Sequence, residues 1–396
     1  MKYNFDEFID RKGTYSTQWD FISDRFGRND ILPFSISDTD FKIPQPVTQA
    51  LKKATDLQIY GYTRWNHNDY KNAIINYYQR HYHVTINPDW IVYSPSVMYS
   101  LSSLIELLTQ PGDHVCAFAP MYTDFEDCTL RRGCQMIRVY LNNQDNYFTI
   151  PWKQFEEALS QSQAFLLCSP QNPTGRVWKQ EELLHMMRLC QKYDVPMITD
   201  EIHMDIILEG QHTPIINYQS QYPRIFSMSS GSKTFNFPAL GGSYALIPDK
   251  NIREEFLDHT KHRDFVNSAS YMGIIALMSA YNDCDDYVEQ LREYIRENMA
   301  LVESYIHEHC APLKFKSPEG TYLAWIDCRD LPFTADQLQD ALVNQGHVGM
   351  MKGEIYFGKG YLRMNVGCPR SKVLDGLERL QKSLNYLYEH KKDVKF

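Results

Sequence analysis

Lys233 stands near the end of Ser-Met-Ser-Ser-Gly-Ser-Lys-Thr (227–234), a turn whose hydroxyls and close-approaching backbone amides suit a phosphate group. The lysine amine can condense with a carbonyl to form a Schiff base. Two further polar segments carry groups that could serve the same chemistry: Ser-Pro-Gln-Asn-Pro-Thr-Gly (169–175), with Asn172, and Thr-Asp-Glu-Ile-His (199–203), with Asp200 and His203. Each of the three follows a short apolar run of strand character. In an open parallel sheet, ligands bind outside the carboxyl ends of the strands, so these segments should face one crevice. A solvated serine loop with a surface lysine is the plainer alternative. A nucleotide-binding P-loop is not expected: the order Gly231-Ser232-Lys233-Thr234 lacks the required Gly-Lys pair, and no glycine lies five residues before Gly231.

The elements that must position these groups can be read from the hydrophobic pattern. From about residue 90, short apolar runs alternate with helical patterns, the rhythm of βαβ units and a largely parallel sheet. Strands are expected at 163–169, 195–199, 224–228 and 243–247. Between the first two lies a helical segment, 179–193, with Leu183, Leu184, Met187 and Cys190 at helical spacing. The texture changes near Asp285. One charged amphipathic helix is predicted through His309, followed by strands at 321–327 and 361–366. A last helix at 372–390 carries Leu374, Leu377, Leu380, Leu384 and Leu387 on a packing face. This second texture reads as a smaller α+β domain. No Gly/Ser-rich linker separates the two, so a shared helix is expected instead of a tether.

Composition narrows the function. A chain of 396 residues should divide into two or so domains. With 43% hydrophobic and 22% charged residues and no apolar run near the roughly 20 residues that span a bilayer, no membrane association is expected. The start, MKYNFDEFIDRKG, places acidic residues where a signal peptide has its apolar stretch, so a cytoplasmic location is expected. Nine scattered cysteines, none spaced as CxxC, suggest neither a disulfide framework nor a zinc site; Cys168 and Cys190 read as small core residues. A net charge of -9 without clustered Lys and Arg argues against nucleic acid.

Asn172-Pro173-Thr174-Gly175, Asp200, Lys233 and Arg363 occur in the order and approximate spacing of the aspartate aminotransferase superfamily, and the chain resembles its fold-type I pyridoxal 5'-phosphate (PLP) enzymes. Within that superfamily it is most similar to the MalY/PatB branch of cystathionine β-lyases and cysteine C–S lyases. The likeness is carried by Phe5-Asp6-Glu7, Asp10-Arg11-Lys12-Gly13-Thr14, Ser37-Asp38-Thr39-Asp40-Phe41, the stretch from Cys168 to Trp178, Asp200-Glu201-Ile202-His203 and Ser232-Lys233-Thr234-Phe235-Asn236. The resemblance implies an α/β fold: a large PLP-binding domain, 45–285, with a mostly parallel sheet of seven-stranded type between helices, and a smaller α+β domain from 1–44 and 286–396.

It also implies residue roles. Lys233 would carry the cofactor and later move the substrate Cα proton. Asp200 would pair with the pyridinium nitrogen, Asn172 would bond the 3′ oxygen, and Tyr122, in Pro120-Met121-Tyr122, would stack on the ring. Ser230, Ser232 and the backbone near Val97 and Met98 would hold the phosphate, with Ser96 standing where the branch usually has glycine. Tyr62 corresponds to a tyrosine that reaches the neighbouring subunit's phosphate in a homodimer with shared sites. His203 sits near the cofactor oxygen, where aminotransferases of this fold often have tyrosine, and Arg363 would bind the substrate α-carboxylate. The expected activity is β-elimination from cystathionine or another cysteine S-conjugate, giving a thiol, pyruvate and ammonia. An aminotransferase would use nearly the same residues, and a regulatory protein-binding role would need no turnover.

Overall fold

The computed structural model describes residues 2–390. Seven strands form the central sheet: β1 (Ile91–Ser94), β2 (His114–Ala119), β3 (Gln135–Tyr140), β4 (Ala164–Cys168), β5 (Met197–Asp200), β6 (Ile225–Ser229) and β7 (Ser243–Leu246). Their spatial order is β1-β7-β6-β5-β4-β2-β3. β4 to β7 are buried along their whole length, as strands covered on both faces should be. Parallel pairing runs from β3 through β2, β4 and β5 to β6. The helices Trp152–Leu159 and Gln180–Tyr193 supply crossovers on the way. β7 alone runs antiparallel to its neighbours, because the chain returns from β6 without an α-helix, through the serine turn and a 3₁₀ turn at Pro238–Leu240.

The expected strands and helices are present with small shifts at their ends. The helix Asp285–His309 buries Tyr287, Val288, Leu291, Tyr294, Ile295, Asn298, Met299, Val302 and Ile306, a stripe recurring every three or four residues. It packs beside the helix Arg370–Glu389, whose Leu377, Leu380, Leu384 and Leu387 are buried while Leu374 is exposed. Three antiparallel strands complete this part: β8 (Leu323–Asp327), β9 (Met351–Lys352) and β10 (Tyr361–Asn365), with β10 in the middle. The N-terminal segment lies against the same helices. Phe5 sits among Phe41, Tyr287 and Tyr294, and Lys2 pairs with Asp286.

Two multi-turn helices precede the pattern read from the sequence, Gln45–Asp56 and Asn68–Tyr82; both pack on the helix Tyr271–Asp283. Among the described residues, no helix is long and apolar enough to cross a membrane, and the cysteines are free and, apart from half-buried Cys128, buried.

Candidate active site

Five loops leave the carboxyl ends of parallel strands and meet in one cavity of about 520 Å³. After β1 comes Ser96, whose side chain accepts the N–H of Tyr99 and so starts the helix Val97–Leu108. Val97 and Met98 are therefore the first two helical residues, not part of a preceding loop. Their amides point out of the helix end, a natural anion site. After β2, the chain turns through Pro120 to Tyr122, whose hydroxyl donates to Asp124. After β4 comes Asn172, β5 ends on Asp200, and β6 leads into Ser230, Ser232 and Lys233.

The turn itself is held by its own polar groups. Ser230 Oγ donates to the Gly242 carbonyl at 3.0 Å and accepts the Ser232 amide at 3.2 Å. Thr234, just beyond Lys233, donates to the buried carboxylate of Asp205 at 2.7 Å, and Tyr82 donates to that carboxylate's other oxygen. Glycine is required where the Asn172 loop docks. Gly175 has φ of +69°, and a Cβ there would lie 2.4 Å from Pro318 Cβ and 2.7 Å from the Gly320 carbonyl, so only glycine lets the Asn172 loop dock on residues 318–320.

Lys233 donates from Nζ to the carbonyl of Ser37 at 2.7 Å, and Tyr322 donates to the same oxygen at 2.8 Å. Burial pushes the lysine pKa down, which favours the neutral, nucleophilic amine. Asp200 is buried and pushed up to about 6 by that burial, although the Ile202 amide, donating to Oδ1 at 2.9 Å, and the nearby lysine favour the anion. His203 is buried beside Tyr322, ring edge to face, and its Nδ1 has no hydrogen-bond partner among the described residues. Burial, with the positive charges of Lys233 and Arg363, lowers its pKa to about 3, so the imidazole is neutral at ordinary pH.

Arg363 projects from the middle of β10 into the same cavity and is only 3% exposed. It donates to Asn172 Oδ1 at 3.2 Å and to the Ser35 carbonyl at 2.8 Å, and stacks 4.3 Å from the Tyr356 ring. Its Nε finds no acceptor among the described residues. No carboxylate pairs with this buried guanidinium among the described residues; its hydrogen bonds go to an amide oxygen and a backbone carbonyl.

Val97, Met98, Tyr122, Asn172, Asp200, His203, Ser230, Ser232, Lys233 and Arg363 thus line one cavity. Tyr62 does not: it is fully exposed and borders a separate groove with Phe265 and Arg253. Several lining residues carry no motif signal. Ser35 and Ile36 act through the backbone, as does Ser37 at the head of the Ser37–Phe41 motif, and Arg25, Met351, Ile355 and Tyr356 arrive from distant stretches of chain. Cys168, expected in the core, is buried but also touches the cavity, and burial drives its thiol pKa well up.

The model of the family described as aminotransferase class I and II matches residues 29–380. MalY of Escherichia coli is 36% identical over 96% of this chain and 98% of its own length. Cystathionine beta-lyase PatB of Bacillus subtilis is 32% identical over 96% of this chain and all of its own. The crystal structure of cystalysin from Treponema denticola, which contains pyridoxal 5'-phosphate, superimposes with a TM-score of 0.92 at 30% identity, covering 98% of this chain and all of that one. A site at the carboxyl ends of the strands, shared order of motifs and near full-length likeness agree: the chain belongs to the aminotransferase class I and II family, on the branch of MalY and PatB.

Proposed function

We propose that the chain is a PLP-dependent carbon–sulfur β-lyase acting on cysteine S-conjugates. The observation that carries this reading is the pairing, in one cavity, of a lysine with a depressed pKa and a buried arginine that has no carboxylate partner among the described residues. An amino acid satisfies both, with its carboxylate on Arg363 and its Cα within reach of the Lys233 amine. The names of PatB and of its relatives as cystathionine β-lyases favour elimination over transamination.

The residues fit PLP. Asp200 is a buried carboxyl whose one hydrogen-bond donor among the described residues is the Ile202 amide, so a pyridinium N–H⁺ is the partner that would hold it ionised. The free amides of Val97 and Met98, with Ser230 and Ser232, suit the phosphate. Asn172 keeps its Nδ2 for the 3′ oxygen while Oδ1 accepts from Arg363, and neutral His203 can bond near the same oxygen. Tyr122 supplies the stacking face. When bound, PLP supplies the electron sink that makes the Cα proton acidic. Lys233 then takes that proton, the C–S bond breaks, and the pair leaves with the thiolate; hydrolysis of the three-carbon remainder gives pyruvate and ammonia.

Two structural readings accompany the chemistry. Residues 45–285 form the cofactor domain, and 1–44 with 286–396 form the smaller one, supported by the packing of the N-terminal segment on the helix Asp285–His309. A homodimer, with Tyr62 completing the partner's phosphate site, is supported by the exposure of that tyrosine, and a cytoplasmic location is the reading that accompanies it. The decisive experiment supplies holoenzyme with S-ethylcysteine and no oxo-acid. Sustained release of ethanethiol, pyruvate and ammonia is expected. One turnover that resumes only after an oxo-acid is added would assign an aminotransferase instead.

A further inference from the structure

Arg363 is not the only guanidinium in the pocket. Arg25 lines it as well, and the two differ in depth: Arg363 is buried in the wall, whereas Arg25 is exposed at the rim. Arg25 is the basic residue of a single-turn helix, Ser23–Phe26, that ends on Gly27 at φ of +71°. Its neighbours Ile22 and Phe26 anchor the turn. Ile22 is buried with Ile31 and Val343, and Phe26 covers Gly349, where an added Cβ would meet its ring at 2.7 Å. The guanidinium is thus carried on a fastened turn, yet its side chain makes no hydrogen bond or ion pair among the described residues. Asp124, the lining carboxylate on this side, is already bonded by the Tyr122 hydroxyl.

The direction in which substrate must extend gives Arg25 its meaning. Buried Asp200 and Arg363 and half-buried Lys233 close the inner end, so the group attached at sulfur has to point toward the rim. On the side of Arg363 that rim is built by Arg25 and Ile355, the latter 39% exposed. The charge of Arg25 bears on both Arg363 and Tyr356, the ring stacked on Arg363. Ile36, Met351 and Ile355 offer apolar surface for a thioether chain, and an unpaired guanidinium fork is a receptor for a carboxylate. We infer that Arg25 receives an anionic end of the departing thiol, so the preferred substrates are cysteine S-conjugates whose thiol bears a carboxylate. This assignment of substrate class rests on the lyase reading of the same site.

The test compares two conjugates of equal shape on the holoenzyme, S-(2-carboxyethyl)cysteine and its neutral amide, S-(2-carbamoylethyl)cysteine. Thiol release should favour the carboxylate by about five- to tenfold in kcat/KM, mainly through KM, as befits a partly solvated ion pair. That preference should shrink as salt rises from 0.05 to about 0.5 M. In Arg25→Gln the ratio between the two substrates should fall to about one, and in Arg25→Lys part of it should survive. A wild-type ratio near one, or a ratio untouched by Arg25→Gln, overturns the inference. If neither compound releases thiol, the lyase reading falls, and binding followed by cofactor absorbance decides Arg25 separately: equal affinities overturn its assignment, and tighter binding of the carboxylate, lost in Arg25→Gln, upholds it.

Discussion

At the scale of single residues, burial acts on Asp200 and His203 in opposite directions, and the consequence is measurable. Without cofactor, Asp200 titrates at about 6 in the fold against 3.8 when unfolded. The folded state therefore holds a proton that the unfolded chain has released, and stability from this group is full below pH 4 and lost as pH rises to 6, about 3 kcal/mol in all. His203 titrates at about 3 in the fold against 6.5, so its contribution is full above pH 6.5 and lost as pH falls toward 3. The two slopes oppose each other between pH 4 and 6. In urea titrations of cofactor-free protein, Asp200→Asn should make stability fall more steeply on acidification through that window, and His203→Gln should make it rise. Parallel curves for both variants and the wild type would mean that neither group is perturbed. The charged members of the site, Lys233, Asp200 and Arg363, were legible because their chemistry resides in side-chain type and order. The roles of the Ser35 and Ser37 carbonyls were not, although Ser37 heads a motif, since a carbonyl oxygen is common to every residue and acquires a role only when the fold aims it.

At the scale of elements, the segment 35–41 joins the site to the rest of the protein. Its carbonyls receive Arg363, Lys233, Tyr322 and both amide hydrogens of Asn365, while Asn236 holds Thr39 and Phe41. Asp40 fastens its far end. Its carboxylate accepts from Lys372 at 2.6 Å, Arg11 at 2.9 Å and the Trp19 indole at 3.0 Å. Burial opposes ionisation there, but the charge of Lys372 and these bonds hold the pKa below the usual carboxylate range. The likeness in Asp10-Arg11 and Asp38-Thr39-Asp40 thus has a physical cause, one ion-pair cluster built from both. Removing one partner strands a buried charge, so Asp40→Ala should cost about 3–5 kcal/mol in urea denaturation. Asp40→Ala combined with Lys372→Met should cost less than the sum of the single changes; additive costs would show that the pair is not coupled. The same scale shows where pattern reading stops. The helix Asp285–His309 was legible to its ends because one face is continuously apolar. Gln45–Asp56 buries only Val47 and Ala54, too few to announce a period.

At the scale of the whole molecule, one surface is out of keeping with a solitary chain. Leu57, Ile59, Tyr60 and Tyr62 are 58–100% exposed on one short segment, and Phe265, 77% exposed, shares a groove with Tyr62. Single exposed apolar residues are ordinary, but a cluster of large ones marks a surface that is covered in use. Its place in the chain fits the proposed role of Tyr62, which is outside its own subunit's cavity and free to enter another's. A second copy related by a two-fold axis would bury the segment and deliver each tyrosine to the opposite phosphate loop. Two substitutions separate these effects. Tyr62→Phe removes one hydroxyl and little apolar area, so the dimer should persist in sedimentation while PLP dissociates several-fold faster on dilution. Phe265→Asp places a charge in the proposed contact, so the dimer should weaken and cofactor retention should fall with it, recovering as protein concentration rises. A wild-type monomer that retains PLP and full turnover would remove the shared site, and Tyr62 would then be a surface tyrosine and nothing more.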